Sequence, residues 1–283
     1  MTVFVAPITR DVLSIGGPEA INWLQGQLSQ DVSGLAVGDV TWSFVLAPQG
    51  KVDGWGRVER TGADEVRIDV DAGAGQTWTD RLNRFKLRTK ADLTLETDVA
   101  ALAVRGSQPE GSLAAGWPGI DGGDLLAPAD GRLDELVAEG AVVVDATALD
   151  GLRIRCGVPR WGAEIDSDTI PATLGQWVID ASVSFKKGCY TGQELVARID
   201  SRGGNVPRRL AVLALDGEAP SVGAAVTVNG QSAGTTTSSG TDPETGDAVA
   251  LAFVPRGIEL PAAASVDGVS ADLSVVEVGQ PAG

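Results

Sequence analysis

The 283-residue chain carries a net charge of −16 with 38 acids against 22 Lys and Arg, 43% apolar residues and no histidine. So acidic a surface argues against nucleic acid as a direct partner, and the lack of histidine removes every Ser-His, Cys-His and His-metal arrangement. No apolar run reaches the roughly 18 residues a membrane span needs, and the first residues lack a basic segment followed by an apolar one, so a cytoplasmic protein, folding as a monomer, is expected.

In chain order, a strand over Val3, Val5 and Ile8 precedes Gly16-Gly17-Pro18, which sets up a helix with Ile21, Leu24 and Leu28 at helical spacing. Val40, Trp42, Phe44 and Leu46 alternate as a strand, Pro48-Gln49-Gly50 makes a turn, and Val52 to Val58 returns as its hairpin partner. Val66 to Val70 is a third strand and Ala74 to Arg84 a helix. Phe85, Leu87, Thr89, Ala91, Leu93 and Leu95 then alternate as a strand whose polar face carries Lys86, Arg88 and Lys90. Gln108 to Gly131, rich in Gly and Pro, has the composition of a loop, Leu133 to Glu139 of a short helix, and Asp145 to Pro159 of regular structure. Beyond Asn205, short apolar runs separated by glycines indicate a small β-barrel or sandwich. These patterns divide the chain into an α+β body over residues 1–204, built of two interleaved subdomains, and an all-β unit over residues 205–283.

Two basic segments stand out in this acidic chain: Arg81, Arg84, Lys86, Arg88 and Lys90, and then Lys186, Lys187, Arg198, Arg202, Arg208 and Arg209. A pocket for an anionic small molecule and a pair of solvated faces both satisfy that pattern. Between them, Thr191 and Glu194 have the spacing of a capping box, which starts a helix at Thr191 and puts Cys189 two residues before its cap, beside Lys187. A helix dipole and a neighbouring cation favour a thiolate, whereas a lone cysteine is also a small packing residue. Gly188 and Gly192 would allow a close backbone approach or positive φ. Cys156, in an apolar strand-like run, is assigned to packing. Two cysteines 33 positions apart support neither a disulfide framework nor a structural metal site.

The segment Lys187-Gly188-Cys189-Tyr190-Thr191-Gly192-Gln193-Glu194 resembles the signature of the YgfZ family, Lys-Gly-Cys-Tyr-x-Gly-Gln-Glu, at every defined position. Trp23 to Leu28, Pro48 to Lys51, Arg84 to Arg88, Gly157 to Pro159 and Glu164 are similar to other parts of that family. The resemblance implies a cloverleaf of three parts with a folate channel, related to the aminomethyltransferase of the glycine cleavage system. It further implies a tetrahydrofolate-binding accessory protein that assembles or maintains iron–sulfur client proteins, including tRNA-modifying enzymes. In that picture Lys187, Gly188, Tyr190, Gly192, Gln193, Glu194, Arg198 and Arg202 shape the ligand end of the channel and Cys189 is the functional thiol; a flat pterin could stack on Trp161 or Trp177, for each of which core packing is the alternative. The aminomethyltransferases carry two adjacent Asp after the hairpin turn where this chain has Asp53-Gly54. That departure favours the accessory role. The surviving Asp53, which could orient a pterin nitrogen or serve the turn, keeps a folate-dependent aminomethyl or methyl transferase as the alternative.

Overall fold

The computed structural model describes residues 1–276. The chain opens with strand β1 (Phe4–Gly16) and helix α1 (Ala20–Gln25), followed by the hairpin of β2 (Val40–Leu46) and β3 (Val52–Gly62), then β4 (Glu65–Asp71) and α2 (Gly75–Arg84). There follow β5 (Asp92–Arg105), β6 (Leu113–Ala114), β7 (Gly122–Leu126), α3 (Arg132–Ala138), β8 (Val142–Val143) and α4 (Ala146–Arg155). A 3-10 turn (Pro171–Leu174) leads to α5 (Gln176–Ser182) and α6 (Gln193–Asp200). The remaining strands are β9 (Arg208–Leu215), β10 (Ala225–Val228), β11 (Gln231–Thr241), β12 (Ala248–Pro255), β13 (Ala262–Val266) and β14 (Val269–Ser274). No helix among the described residues is long and apolar enough to cross a membrane.

The first sheet runs β2-β3-β4-β1-β5-β7-β6, with β8 beside β1. Its long central strand β1 pairs antiparallel with β4 and β5. Helices cover both faces. On one, Leu13, Ile68, Val45 and Val58 pack with Trp23 and Leu24 of α1 and Trp78 and Leu82 of α2. On the other, Phe44, Leu46, Val52 and Trp55 meet Leu152 of α4, Trp177 to Ile179 of α5 and Val196 of α6. Trp78 is fully buried, worth about 4 to 6 kcal/mol of gross transfer free energy. Its indole fits because β3 carries Gly54 and Gly56 beneath it: a Cβ at Gly54 would lie 2.2 Å from Trp78 Nε1.

The last six strands close into a barrel, β10-β11-β12-β9-β14-β13. Its interior is filled largely by small residues, among them Ala211, Ala233, Ala248, Ala250, Ala252 and Ala271, as a narrow lumen requires. The barrel docks on the body through Glu164, whose Oε1 accepts from Thr237 Oγ1 (2.8 Å) and Ser238 Oγ (2.6 Å), while Arg153 Nη2 donates to the same Ser238 hydroxyl (2.8 Å).

Three expectations need correction. Phe85 to Lys90 is not strand: α2 ends with Phe85 as its C-cap, the Phe85 ring lies 4.2 Å from the Arg81 guanidinium, and Arg88 has φ +56°. Strand β5 begins only at Asp92, so Lys86, Arg88 and Lys90 share no sheet face. Gln108 to Gly131 is not a simple loop, because β6 and β7 extend the sheet there. Its glycines serve close strand pairing: a Cβ at Gly122 would meet Val104 O at 2.6 Å. Cys156, buried as packing requires, is the C-cap of α4 and not part of a strand; the apolar run is a helix buried between sheet and barrel.

Candidate functional site

A cleft of about 420 Å3 opens where β1, β3, β5 and β7 face α4 and the turn after it. Sheet geometry puts Trp55 and Arg57 of β3 on this face, alternating with Gly54 and Gly56 on the other. Trp42 of β2 stacks on Trp55 with ring centres 4.0 Å apart and planes at 14°. Trp55 is fixed from behind by a hydrogen bond from Nε1 to Ser182 Oγ (2.8 Å) and by the edge of Trp177 at 6.1 Å. On the opposite wall the Arg105 guanidinium lies 3.9 Å from the Trp117 ring centre, and Trp161 completes the aromatic lining.

Beneath the aromatics runs a ladder of ions. Arg10 binds Asp69 through Nε (3.0 Å) and Nη2 (2.8 Å) and Asp71 through Nη1 (2.6 Å). Arg57 Nη2 reaches both Asp69 and Asp124 at 2.6 Å, and Arg105 Nη1 reaches the other Asp124 oxygen at 2.8 Å. Burial alone would raise the Asp124 carboxyl, but Arg105, Arg57 and Arg10 outweigh it and hold it far below the usual carboxylate range. Asp71 is lowered the same way, Arg10 overcoming its burial. On the α4 side, Arg153 pairs with Asp150 (2.6 Å) and Glu164 (3.3 Å), and Arg160 with Asp150 (2.8 Å). Each arginine on the cleft wall thus has a carboxylate partner, so the cleft offers flat apolar surface and fixed dipoles rather than free charge. Two buried nitrogens at its wall, Trp42 Nε1 and Arg105 Nε, have no acceptor among the described residues.

The signature segment lies at the hairpin end of the same sheet. Lys187 Nζ donates to Leu28 O (2.7 Å) and Gln30 O (2.9 Å) and sits 5.2 Å from the Tyr190 ring centre. Burial draws this ammonium down to about 8, against the opposing pull of Asp31, and pushes the Tyr190 phenol up to about 12. Gly192 and Gly50 interlock, both in the left-handed region with φ +82°. A Cβ at Gly192 would meet Ala47 O at 2.5 Å, and one at Gly50 would meet Leu195 Cβ at 2.5 Å. This contact bolts the segment to the hairpin turn. The expected capping box does not form: α6 starts at Gln193 with Gly192 as its cap, and Gln193 Oε1 instead accepts from the Tyr190 amide (3.1 Å). Cys189 is therefore three residues before the cap, and it is exposed.

Asp53 accepts from Arg81 Nε (3.0 Å), and that guanidinium also holds Leu46 O and Gln27 Oε1. The fold thus seats Gly192 on the hairpin that carries Asp53, ties Tyr190 to Gln193 within the segment, and anchors Lys187 on Leu28 and Gln30 between α1 and β2, while Gly188 is exposed. It leaves Glu194, Arg198 and Arg202 on the exposed surface, and it parts the two tryptophans: Trp161 lines the cleft, while buried Trp177 lines a second cavity behind it. Among the described residues no group of three or more Cys, Asp or Glu is disposed to hold a metal ion. Sequence reasoning missed Trp42, Trp55 and Trp117 with Arg10, Arg57, Arg105 and Asp124. Arg57, between Trp55 and Val58 in the apolar-facing first half of β3, was the one available signal of a buried cation.

No family model matches the chain. It is 28% identical over 243 residues to the mitochondrial iron-sulfur cluster assembly factor IBA57 homolog of Neurospora crassa, covering 76% of this chain and 54% of that protein. It is 26% identical over 239 residues to the tRNA-modifying protein YgfZ of Photobacterium profundum (74% and 68%), and 28% identical over 289 residues to the aminomethyltransferase of Thermus thermophilus (90% and 80%). The crystal structure of the glycine cleavage system aminomethyltransferase T from Bartonella henselae superposes with a TM-score of 0.78 at 18% identity, over 98% of this chain and 86% of that one, which establishes an aminomethyltransferase-like fold.

Proposed function

This chain is a YgfZ-type relative of the aminomethyltransferases, and we propose from that premise that it is a tetrahydrofolate-binding accessory factor supporting the assembly or maintenance of iron–sulfur enzymes, tRNA-modifying ones included, in the cytoplasm. The cloverleaf division, with a body over residues 1–204 and a barrel over residues 205–283 around a folate channel, belongs to this proposal. The cleft suits a flat pterin: the Trp42–Trp55 pair, Trp117 and Trp161 offer ring faces, and Trp42 Nε1 and Arg105 Nε lack acceptors. Bound there, a tetrahydrofolate would supply a carrier for one-carbon groups. We assign the anionic tail to the signature end, where Lys187 and Gln193 are fixed and Arg198 and Arg202 are solvated, and contact with a client to the exposed Cys189. A thiolate is a soft iron ligand, but one cysteine holds no stable cluster alone, so any such contact would be shared with the client.

The observation that carries the accessory role is the state of the hairpin acid. Asp53 is committed to Arg81, and a second carboxylate at position 54 has no room beside Trp78. The alternative, an aminomethyl transferase, draws on the 90% coverage by the Thermus thermophilus relative. Complementation of a strain lacking its own YgfZ-type protein, with an iron–sulfur tRNA-modifying enzyme as readout, separates the two. Rescue by wild type but not by Cys189→Ala supports the accessory role. Failure of wild type, together with folate-dependent turnover that Asp53→Asn abolishes and Cys189→Ala spares, would replace it by the transferase.

A further inference from the structure

Behind the Trp55 wall lies a second, half-open cavity of about 520 Å3, bordered by the 3-10 turn and α5 on one side and β9 with the loop before it on the other. Its volume is that of a site for a small organic molecule. The floor is apolar, built by Leu174, Trp177, Val206 and Val212, with Trp177 only 6% exposed. Charge distinguishes it from the cleft. Two arginines, Arg209 and Arg256, line the cavity, and neither is within ion-pair distance of a carboxylate among the described residues. Arg209 donates to Ile258 O and Arg256 to Asn205 and Gly203 O, which orients both guanidiniums without neutralising them. The single acid on the wall, Asp180, accepts from Gln176 Nε2 (2.8 Å).

In a chain of net charge −16, a cavity with an apolar floor and two guanidiniums against the one acid Asp180 carries a net positive charge and favours a negative ligand, a planar guanidinium matching a carboxylate. We infer that this cavity is a second binding site, for a small carboxylate with an aromatic or branched apolar body. It stands independently of the folate proposal, since the two cavities share only the Trp55–Trp177 contact and the Gly157-Val158 step.

Isothermal titration with 2-naphthoate and its neutral isostere 2-naphthamide tests the inference on the full chain. Wild type is expected to bind naphthoate about tenfold or more tighter than naphthamide. That preference vanishes in Arg209→Gln/Arg256→Gln, and Ala172→Trp, which places an indole in the cavity, weakens both ligands while circular dichroism and the melting temperature report a folded protein. Equal affinity for the two ligands, no binding of either at millimolar concentration, or a preference that survives in the folded double variant would each overturn it.

Discussion

The cleft and the signature turn are held together by opposite means. In the cleft, side-chain charges from β1, β3, β4, β5 and β7 cancel one another in a buried ladder. At the signature turn the fixing is done by backbone: carbonyls receive Lys187, and two glycines lock Gly192 against the hairpin. The first arrangement makes a rigid wall whose side-chain charges are all paired, with Trp42 Nε1 and Arg105 Nε as its open donors. The second holds a loop in place by half-burying Lys187 while leaving the Cys189 thiol and the cations Lys186, Arg198 and Arg202 in water. Under the proposed function, recognition of a flat ligand and contact with a larger partner would therefore fall to different kinds of surface.

Arg57→Met tests the ladder most severely. It leaves Asp69 and Asp124 short of a cation in a buried setting, a loss of about 3 to 5 kcal/mol in urea unfolding; a loss under about 1 kcal/mol would mean the ladder is not the support described. At the signature turn, Gly192→Ala combines a left-handed φ with a backbone collision and should cost about 2 to 3 kcal/mol. Unfolding midpoints unchanged by it would remove the glycine lock.

A pH titration of stability sharpens the contrast, because one member of the signature gains and another loses. Lys187 has a folded value of about 8 against an ordinary 10.5, so between these the unfolded chain binds more protons and stability rises with pH. Tyr190 keeps its proton to about 12 in the fold against an ordinary 10, so above pH 10 its contribution is progressively lost. Lys187→Met should flatten the rise and spare the fall; an unaltered rise would place its origin elsewhere. The smallest effect is at the thiols. Cys189→Ser should change stability by less than about 0.5 kcal/mol, and native-state alkylation should label Cys189 rapidly and Cys156, which is buried, only on unfolding. Equal labelling rates would contradict the exposure of the signature loop.

Locally coded features were legible in the sequence: the hairpin around Pro48 to Lys51, helix α2 and the small β-rich unit, whose closed barrel the structure supplies. Clustered charge proved a poor guide to the cleft. Arg84, Arg88 and Lys90, dense in sequence, are exposed, whereas the cleft arginines of the sheet, Arg10, Arg57 and Arg105, are scattered one to a strand and meet their acids across separations of 59, 12, 67 and 19 residues. Such pairs leave no periodic trace. The misplaced strand at Phe85 to Lys90 has a related cause: its alternation is real, but Phe85 turns back under Arg81, a contact that depends on where α2 ends.

The fit of Trp78 over Gly54 has an evolutionary corollary. An acid at position 54 is sterically barred while the indole is present, and removing the indole first opens a cavity that costs about 3 to 5 kcal/mol. Each single step is therefore unfavourable alone, and the two positions are epistatic. A chain in this state can acquire adjacent carboxylates at positions 53 and 54 only through a paired change in β3 and α2, so the packing of one indole restricts which acids the hairpin can carry.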